Sequence, residues 1–327
     1  MLRIFRDTRY DFIKWWRAMA IATAAFIFLG LGVTALRGGL RYSIDFTGGT
    51  LMQLAFKQRP DVGQLRAALD AGGVRDAEIT QFGSDREYTV RAQDEAAGSR
   101  GAESVARRVQ TLLAQRFGAG AFQVVRTEAV GPRVGDELRR GAMLAVLASF
   151  ALTLVYLWFR FEWRFGVAAV IATAHDIFTT IAFIGLMRIE VSLTVIAAIL
   201  TVIGYSLNDT IIIFDRVREN LRKHRGMGLY DLVNLSVNET LPRSVLTHAT
   251  TLGATLALLL FAGEVIRPFA WVMAFGIFTG TFSSIYVASA ILIYIERRYP
   301  RPAVEPRRPS AGRPAAPQRT DRTLAAS

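Results

Sequence analysis

Two aspartates interrupt stretches of this sequence that are otherwise apolar enough to cross a membrane. Asp209 follows Asn208 in VIGYSLNDTIIIFDRVREN, and Asp176 follows His175 in ATAHDIFTT. A charged aspartate at the centre of a membrane helix costs about 2.5–3.5 kcal/mol on insertion scales, and such residues commonly mark ion pathways. The two positions therefore predict proton or cation movement, with a structural hydrogen-bond role as the alternative.

Asp209 lies beside a polar stripe formed by Thr201, Tyr205 and Asn208. These three residues are spaced at i, i+4 and i+7, so they share one face of a helix. The stripe is predicted to face other helices rather than lipid. Asp209 is nearer one end of its span than the centre, which leaves open that it reaches the interface or only organises hydrogen bonds.

A second polar region, RSVLTHATTLGATL, begins the next span with Arg243 and continues through Thr247 and His248. Two antiparallel spans joined by a loop can bring Arg243 close to Asp209, where the guanidinium would hold the carboxylate ionised. The alternatives are that Arg243 is an interfacial anchor and that His248 is a buried, hydrogen-bonded imidazole. Either residue would then be structural.

His175 and Asp176 lie near the middle of their span. Adjacent helical residues point about 100° apart, so the two side chains need not touch each other. Their depth favours a role on an ion path. A buried structural pairing with Thr173, Thr179 or Thr180 is an equally good interpretation.

The polar residues described above must be positioned by membrane helices. The hydropathy pattern predicts six such helices. Each apolar stretch is close to the roughly 20 residues that span a bilayer. The predicted spans are 17–36, 141–159, 165–187, 191–213, 244–263 and 269–294. They leave an N-terminal segment over 1–16, a polar loop over 214–243 and a Pro- and Arg-rich tail over 296–327, for which we expect disorder.

Composition agrees with a membrane protein that carries a polar domain. The 327 residues are 52% hydrophobic with a mean hydropathy of +0.29, and there is no cysteine. The net charge of +12 collects at the ends of the apolar stretches, which argues against nucleic acid as a partner. The sequence predicts no metal site, no cofactor and no enzymatic activity, because nucleophile–base, zinc-ligand and phosphate-loop motifs are missing from it.

Lysine and arginine predict the orientation of the chain. They concentrate in the N-terminal segment, the 160–164 turn, the 214–243 loop and the tail, whereas the two short loops on the other side hold only Arg188 and Arg267. By the positive-inside rule both termini are cytoplasmic. Residues 38–139 would then lie outside, on the opposite face of the membrane.

The 38–139 segment has the pattern of a small folded domain. TLMQLAF, AEITQFG, EYTVRAQ and FQVVRTEAV alternate like strands, and two amphipathic helices separate them. The order βαββαβ predicts a ferredoxin-like α+β fold. Gly48 and Gly49 are predicted to let the chain turn sharply where this domain joins the first span.

Several motifs together resemble the SecF family, the smaller subunit of the SecDF protein-export complex in the resistance-nodulation-division superfamily. The resemblance extends from about residue 10 to 295 and is carried by YSIDFTGGT (42–50), VGPRVGDEL (130–138), VIGYSLNDTIIIFDRVREN (202–220), NETLPRSVLT (238–247) and GTFSSIYVAS (280–289). Two departures stand out. Ala290 replaces a usual proline, which would straighten the last helix, and His248 replaces a usual serine.

The resemblance implies a location in the bacterial inner membrane, with residues 38–139 in the periplasm, and a function. SecF acts with SecD and uses the proton-motive force to complete translocation of unfolded preproteins after SecA and SecYEG, with YajC and YidC as further partners. Asp209 matches the family's proton-carrying aspartate and Arg243 matches its arginine. Asn208, Tyr205, His175, Asp176 and Thr247 are the supporting candidates. The coupling ion is expected to be H⁺, although Na⁺ replaces it in some relatives.

Two other readings of the sequence stay open. A drug or lipid exporter of the same superfamily usually has two six-span halves and two large external domains, whereas this chain has one of each. A passive assembly factor would keep Asp209 as a structural residue only. A membrane enzyme is the least favoured reading.

Overall fold

The computed structural model describes residues 8–74, 77–92 and 99–300, without the side chains of 99–103. Within these residues, six helices are long and apolar enough to cross a membrane, as the hydropathy pattern predicts. They are α1 (Trp16–Leu36), α5 (Pro132–Arg160), α6 (Trp163–Leu186), α7 (Leu193–Lys223), α8 (Leu229–Phe261) and a last span that runs from α9 (Arg267–Ser283) to α10 (Ser289–Arg298).

Three helices are longer than the hydropathy pattern predicts. The segment 214–243, predicted as a loop, is mostly helical, since α7 continues to Lys223 and α8 begins at Leu229. Helix α5 begins at Pro132 rather than near residue 141. The 31 residues of α7 make a rod of about 46 Å, longer than a hydrocarbon core of about 30 Å. Charged helical turns therefore project beyond the bilayer, where hydropathy gives no signal for them.

The last span contains a π-helical turn, which the sequence did not predict. Residues Ser284–Ala288 form this turn between α9 and α10. The Ser289 hydroxyl donates to the Ser284 carbonyl at 3.1 Å, so it partners a backbone acceptor of this turn. Ala290 was expected to straighten the last helix. The last span is nevertheless not a continuous α-helix, because the π-helical turn interrupts it. Helix α10 ends at Arg298, and the predicted tail lies outside the described residues from 301 onward.

The domain between α1 and α5 has the predicted ferredoxin-like fold. Its elements in chain order are β1 (Gly49–Phe56), α3 (Val62–Ala71), β2 (Glu78–Gln81), β3 (Glu87–Ala92), α4 (Ser99–Phe117) and β4 (Phe122–Val130). The sheet is antiparallel with the order β2-β3-β1-β4. Alternate β1 side chains, Met52, Leu54 and Phe56, are buried beneath the two helices. Period-two alternation in the sequence thus decides which sheet face is covered.

The junction of this domain with the first span is a tight turn. A four-residue helix, α2 (Ile44–Thr47), is capped by the Ser43 hydroxyl and leads into Gly48 and Gly49. Their φ angles are +70° and +114°, which non-glycine residues rarely adopt. A Cβ at Gly48 would lie 3.0 Å from the Cα of Pro132, where α5 begins. The two glycines therefore allow the strand leaving α2 to pass close to the returning chain.

Small residues let α9 approach α7 closely. A Cβ at Gly276 would lie 2.2 Å from the Cγ2 atom of Val202, and one at Gly280 would lie 2.9 Å from the Cβ of Ser206. This small-xxx-small spacing is a common way for membrane helices to bring their backbones together. It places Ser283 of α9 and Ser206 of α7 next to Asp176 of α6, as their hydrogen bonds show.

Side-chain contacts gather the basic regions at one end of the helix bundle. The backbone N–H of Tyr10 donates to the Asn238 side chain at 2.9 Å, which ties the N-terminal segment to α8. Arg160 at the end of α5 pairs with Asp215 of α7. The Tyr299 ring, just after α10, packs against Trp163 at the start of α6 with the centroids 5.5 Å apart. The first and last described segments therefore share one side with the α5–α6 turn and the α7–α8 connection, as the charge pattern predicts. We call this the basic end of the bundle.

Candidate intramembrane carboxylate site

Asp209 is buried at the contact between α7 and α8, with an exposed fraction of 2%. Its Oδ1 atom accepts a hydrogen bond from the Ser244 hydroxyl at 2.5 Å. Its Oδ2 atom is buried and has no hydrogen-bond partner in the described part of the chain. One oxygen of the carboxyl group is thus held in place while the other remains available for a proton.

Arg243 does not pair directly with Asp209, although the sequence suggested that it would lie close. The arginine is exposed and is within electrostatic range of the carboxylate, but the two do not form an ion pair within 4.0 Å. The geometry of a helix gives the reason. Ser244 faces Asp209, and the preceding residue points about 100° away around α8. Sequence reasoning named Arg243 and missed Ser244, although both stand in the same polar segment.

Tyr205 and His248 complete the surroundings of Asp209. The Tyr205 hydroxyl donates to the Thr247 carbonyl at 3.1 Å, which links α7 to α8 beside Asp209. The His248 ring packs edge-on to the Tyr205 ring, with the centroids 5.3 Å apart. The Nδ1 atom of His248 lies 2.5 Å from the Ser244 carbonyl. His248 is therefore a neighbour of the site. The sequence had singled it out only as a departure from the serine that is usual in the family.

The polar stripe beside Asp209 is open in this chain. Thr201 and Asn208 are exposed, and Tyr205 is half-buried. The stripe was predicted to face other helices, yet none of the described helices of this chain covers Thr201 or Asn208. Gly204, which is also exposed, lies between them on the same face of α7. A flat, polar face with a glycine is suited to close packing against another membrane helix.

Asp176 is the acceptor in a second buried cluster, with an exposed fraction of 1%. Its Oδ2 atom accepts hydrogen bonds from the hydroxyls of Ser206 on α7 and Ser283 on α9, the latter at 2.8 Å. Its Oδ1 atom lies 3.1 Å from the Nδ1 atom of His175, so these adjacent side chains do touch. The carboxyl group joins three helices, which favours a role in holding α6, α7 and α9 together.

The hydroxyl groups of the α6 threonines do not form hydrogen bonds with the carboxyl group of Asp176. The hydroxyl of Thr173 donates to the Ala169 carbonyl, and that of Thr180 donates to the Asp176 backbone carbonyl. The Thr179 hydroxyl likewise bonds to backbone carbonyls one turn earlier. The alternative pairing with these threonines is therefore wrong, because their hydroxyls satisfy helix carbonyls while serines of other helices reach the carboxylate.

The two carboxylates are linked through α7. Ser206, which binds Asp176, precedes Asp209 by one helical turn, a rise of about 4.5 Å. The neighbouring Thr210 hydroxyl lies 2.8 Å from the Ser284 hydroxyl at the π-helical turn. A displacement of α7 that moves Asp209 relative to Ser244 will therefore also act on the Asp176 cluster.

The projecting ends of α7 and α8 are joined by a polar network outside the apolar region. The Nε atom of Arg216 donates to Glu239 at 2.7 Å, and its Nη1 atom donates to Glu219 at 2.6 Å. Asn220 donates to Glu239 at 2.6 Å and to Ser236 at 3.0 Å. These contacts explain the Arg-x-x-Glu-Asn spacing in FDRVREN, since Arg216 and Asn220 both reach Glu239 of α8 while Glu219 holds Arg216 from within α7.

On the opposite end of the bundle, one arginine fixes the ferredoxin-like domain to the helices. Arg91 of β3 pairs with Glu190 of the α6–α7 loop at 3.0 Å. It also donates to the Tyr42 carbonyl at 2.9 Å and to the Thr47 hydroxyl. We call this set of interactions the Arg91 contact. They link the sheet, the α2 turn and the membrane helices at a single guanidinium group.

The Arg91 contact is expected to depend on pH. Burial raises the pKa of Glu190 above its usual value, although Arg91 and Arg41 oppose the shift. A raised folded-state pKa gives stability that is present below the unfolded pKa, about 4.3, and is lost as the pH rises through the raised value. We expect the Glu190 contribution to the melting temperature to fall between about pH 4 and pH 8, and Glu190→Gln to remove this contribution.

Thermal unfolding of the full chain in detergent at both pH values checks this expectation. Glu264→Gln is the matched control, because Glu264 lies in the neighbouring α8–α9 loop and pairs with Arg267 three residues away. An unchanged pH response in Glu190→Gln would contradict the prediction. So would an equal change in the control.

No group of three or more His, Cys, Asp or Glu side chains that could hold a metal ion occurs within residues 8–74, 77–92 and 99–300. The site is made of single carboxylates surrounded by serine hydroxyls. Such an arrangement can take up and release a proton between two helices.

Comparison with known proteins gives a consistent result. Residues 109–298 match the family described as protein export membrane protein SecD/SecF, C-terminal, and residues 38–58 match the SecD/SecF GG motif. The protein translocase subunit SecF of Gemmatimonas aurantiaca is 60% identical over 92% of this chain and 91% of its own length. That of Desulfurispirillum indicum is 46% identical over 88% and 92%.

Solved structures agree with these relatives. The crystal structure of SecDF, a translocon-associated membrane protein from Thermus thermophilus, matches with a TM-score of 0.80 and 40% identity over 91% of this chain. A SecDF structure in a super-membrane-facing form matches with a TM-score of 0.65 and 39% identity over 90% of this chain. This chain spans 40% and 39% of those two chains.

The fold and the site define a multi-pass membrane protein with buried carboxylates between its spans and a ferredoxin-like domain outside them. The chain belongs to the SecF family of protein translocase subunits. It is accordingly a subunit of the Sec pathway and a protein of the bacterial inner membrane.

Proposed function

We propose that this chain, together with SecD, uses the proton-motive force to complete preprotein translocation after SecA and SecYEG have begun it. The observation that carries the proposal is the geometry of Asp209, a buried carboxylate with one oxygen held by Ser244 and the other without a partner. Nothing about folding requires an ionisable group there, because a buried charge is costly in a membrane.

We propose that a helix of SecD covers the open polar stripe. Thr201, Gly204 and Asn208 are exposed beside Asp209, and a covering helix would shield the carboxylate from lipid. The matched SecDF chain is longer than this one, which spans 40% of it. We propose that the remainder of such a chain corresponds to the partner half. We propose SecYEG, YajC and YidC as further contacts of the assembled complex.

The proposed cycle begins with protonation of Asp209. A neutral carboxyl group no longer attracts the nearby Arg243, so α7 and α8 can shift relative to each other. One charge that crosses 100 mV releases about 2.3 kcal/mol, so several protons can move a domain. The movement reaches the ferredoxin-like domain through Gly48 and Gly49 and through the Arg91 contact, at which the domain meets the α6–α7 loop.

A proton suits the site better than a sodium ion does. A hard cation needs several oxygen ligands, whereas the side-chain contact of Asp209 within the described chain is the single Ser244 hydroxyl. A proton needs only the unpartnered Oδ2 atom. We propose H⁺ as the coupling ion, with both termini on the cytoplasmic side, because the basic end of the bundle would face the cytoplasm.

Proton uptake by liposomes tests the proposal. The full chain is reconstituted with SecD, and in parallel without it, under an imposed pH gradient and membrane potential. We expect uptake only when both subunits are present. Uptake that is absent from the complete complex would assign the chain a passive assembly role. Uptake by this chain alone would show that SecD is not needed to form the proton path.

A further inference from the structure

A cavity of about 690 Å³ opens between α1, α10 and the middle of α6, away from Asp209. Its wall is mostly apolar and includes Ala20, Ala24 and Ile27 of α1 and Ile291 of α10. We call it the α1–α10 cavity. It meets the carboxylate site only at His175, the neighbour of Asp176, and the domain contacts do not use it.

The depth of the α1–α10 cavity corresponds to one leaflet of a bilayer. Along α1 its lining runs from Arg17 to Ile27, ten residues apart, which is about 15 Å of helix. The hydrocarbon core is about 30 Å thick, so the cavity extends from the interface to the midplane. His175, midway along α6, lines the cavity, and its Nε2 atom has no hydrogen-bond partner within the described chain.

The mouth of the α1–α10 cavity carries two positive charges. Arg17 and Arg297 both line it and are exposed, and neither forms an ion pair with a described residue. The Arg17 guanidinium lies 5.5 Å from the centre of the Trp16 ring, which also lines the cavity. Guanidinium groups bind phosphate oxygens through paired hydrogen bonds, and aromatic rings favour the headgroup region.

We propose that the α1–α10 cavity binds one anionic phospholipid of the leaflet at the basic end of the bundle. The phosphate lies between Arg17 and Arg297, and one acyl chain follows Ala20, Ala24 and Ile27 towards His175. The tail after residue 300 is a poorer occupant, because its arginines outnumber its acidic residues and the mouth is already positive. A partner helix would need an acidic residue at this depth to match the two arginines.

Native mass spectrometry of the full chain in detergent, titrated with phosphatidylglycerol or phosphatidylcholine, tests the charged end of the site. We expect one retained phosphatidylglycerol and weaker retention of phosphatidylcholine. The double variant Arg17→Gln/Arg297→Gln should weaken retention of phosphatidylglycerol roughly thirtyfold, since each guanidinium that pairs with the phosphate contributes about 1 kcal/mol.

Lys14→Gln/Arg298→Gln is the matched control. It removes the same charge from exposed residues next to the site that do not line the cavity. Retention within about twofold of wild type is expected, because neither side chain lines the cavity that holds the phosphate. Equal losses in the two double variants would show diffuse attraction to the surface and overturn the proposal. Equal retention of both lipids by the wild type would overturn it too.

A second pair of variants tests the apolar part. Ala24 lines the cavity, whereas the adjacent Ala25 is exposed and does not. Ala24→Phe should fill the cavity and abolish lipid retention, while Ala25→Phe should not change it. The same titration of the complex with SecD separates lipid from a partner helix. Loss of the retained lipid in the complex would assign the cavity to the partner and overturn the proposal.

Discussion

Asp209→Asn is expected to abolish proton uptake by the complex with SecD, down to the level of liposomes without protein. An amide cannot take up and release a proton near neutral pH, so the cycle stops. The shape of the site survives, because the Asn side-chain oxygen can still accept from Ser244, which lies 2.5 Å from Asp209. Preprotein export that depends on the proton gradient should be lost with it, while assembly with SecD is retained.

The control for this variant lies six residues further along the same helix. Asp215 pairs with Arg160 in a half-exposed contact at the basic end of the bundle. Such surface pairs contribute about 0–1 kcal/mol, so Asp215→Asn should leave uptake nearly unchanged. Normal uptake by Asp209→Asn would make Asp209 a structural residue. Loss of uptake together with loss of the complex would show an assembly defect instead.

Asp176→Leu is expected to destabilise the full chain while Asp176→Asn largely preserves it. Leucine removes the acceptor of the buried Ser206 hydroxyl, whereas the Ser283 hydroxyl keeps the Gly280 carbonyl as an acceptor at 3.1 Å. A buried hydroxyl without a partner costs about 1–3 kcal/mol, although polar contacts between membrane helices average less, so we expect a loss of roughly 2 kcal/mol. Thermal unfolding in detergent should show a decrease in melting temperature of roughly 3 °C.

The amide variant separates structure from ion transport at this second carboxylate. Asn keeps an oxygen acceptor between α6, α7 and α9, so its melting temperature should stay close to that of the wild type, and proton uptake should persist. An Asp176→Asn protein that is stable but transports no protons would put Asp176 on the ion path. That result would contradict the structural role that its contacts with Ser206 and Ser283 indicate.

The helical architecture could be predicted from sequence because it depends on local composition. A bilayer demands about 20 apolar residues per span, and a sheet with one covered face demands alternation, so 17–36 and TLMQLAF are readable one segment at a time. The ends of α7 and α8 could not be read in this way. Charged turns beyond the bilayer carry no hydropathy signal, and 214–243 was therefore predicted as a loop.

The position of Asp209 could be found from the sequence, since an aspartate in an apolar span is conspicuous wherever the helices pack. Its partner could not, because Ser244 rather than Arg243 faces it only once the rotation of α8 is fixed. Asp176 shows the same limit, as its donor Ser283 is 107 residues away. Sequence alone determined which residues are costly to bury. The tertiary structure decided which hydroxyl groups offset that cost, because helix rotation and close packing are set by contacts between distant segments.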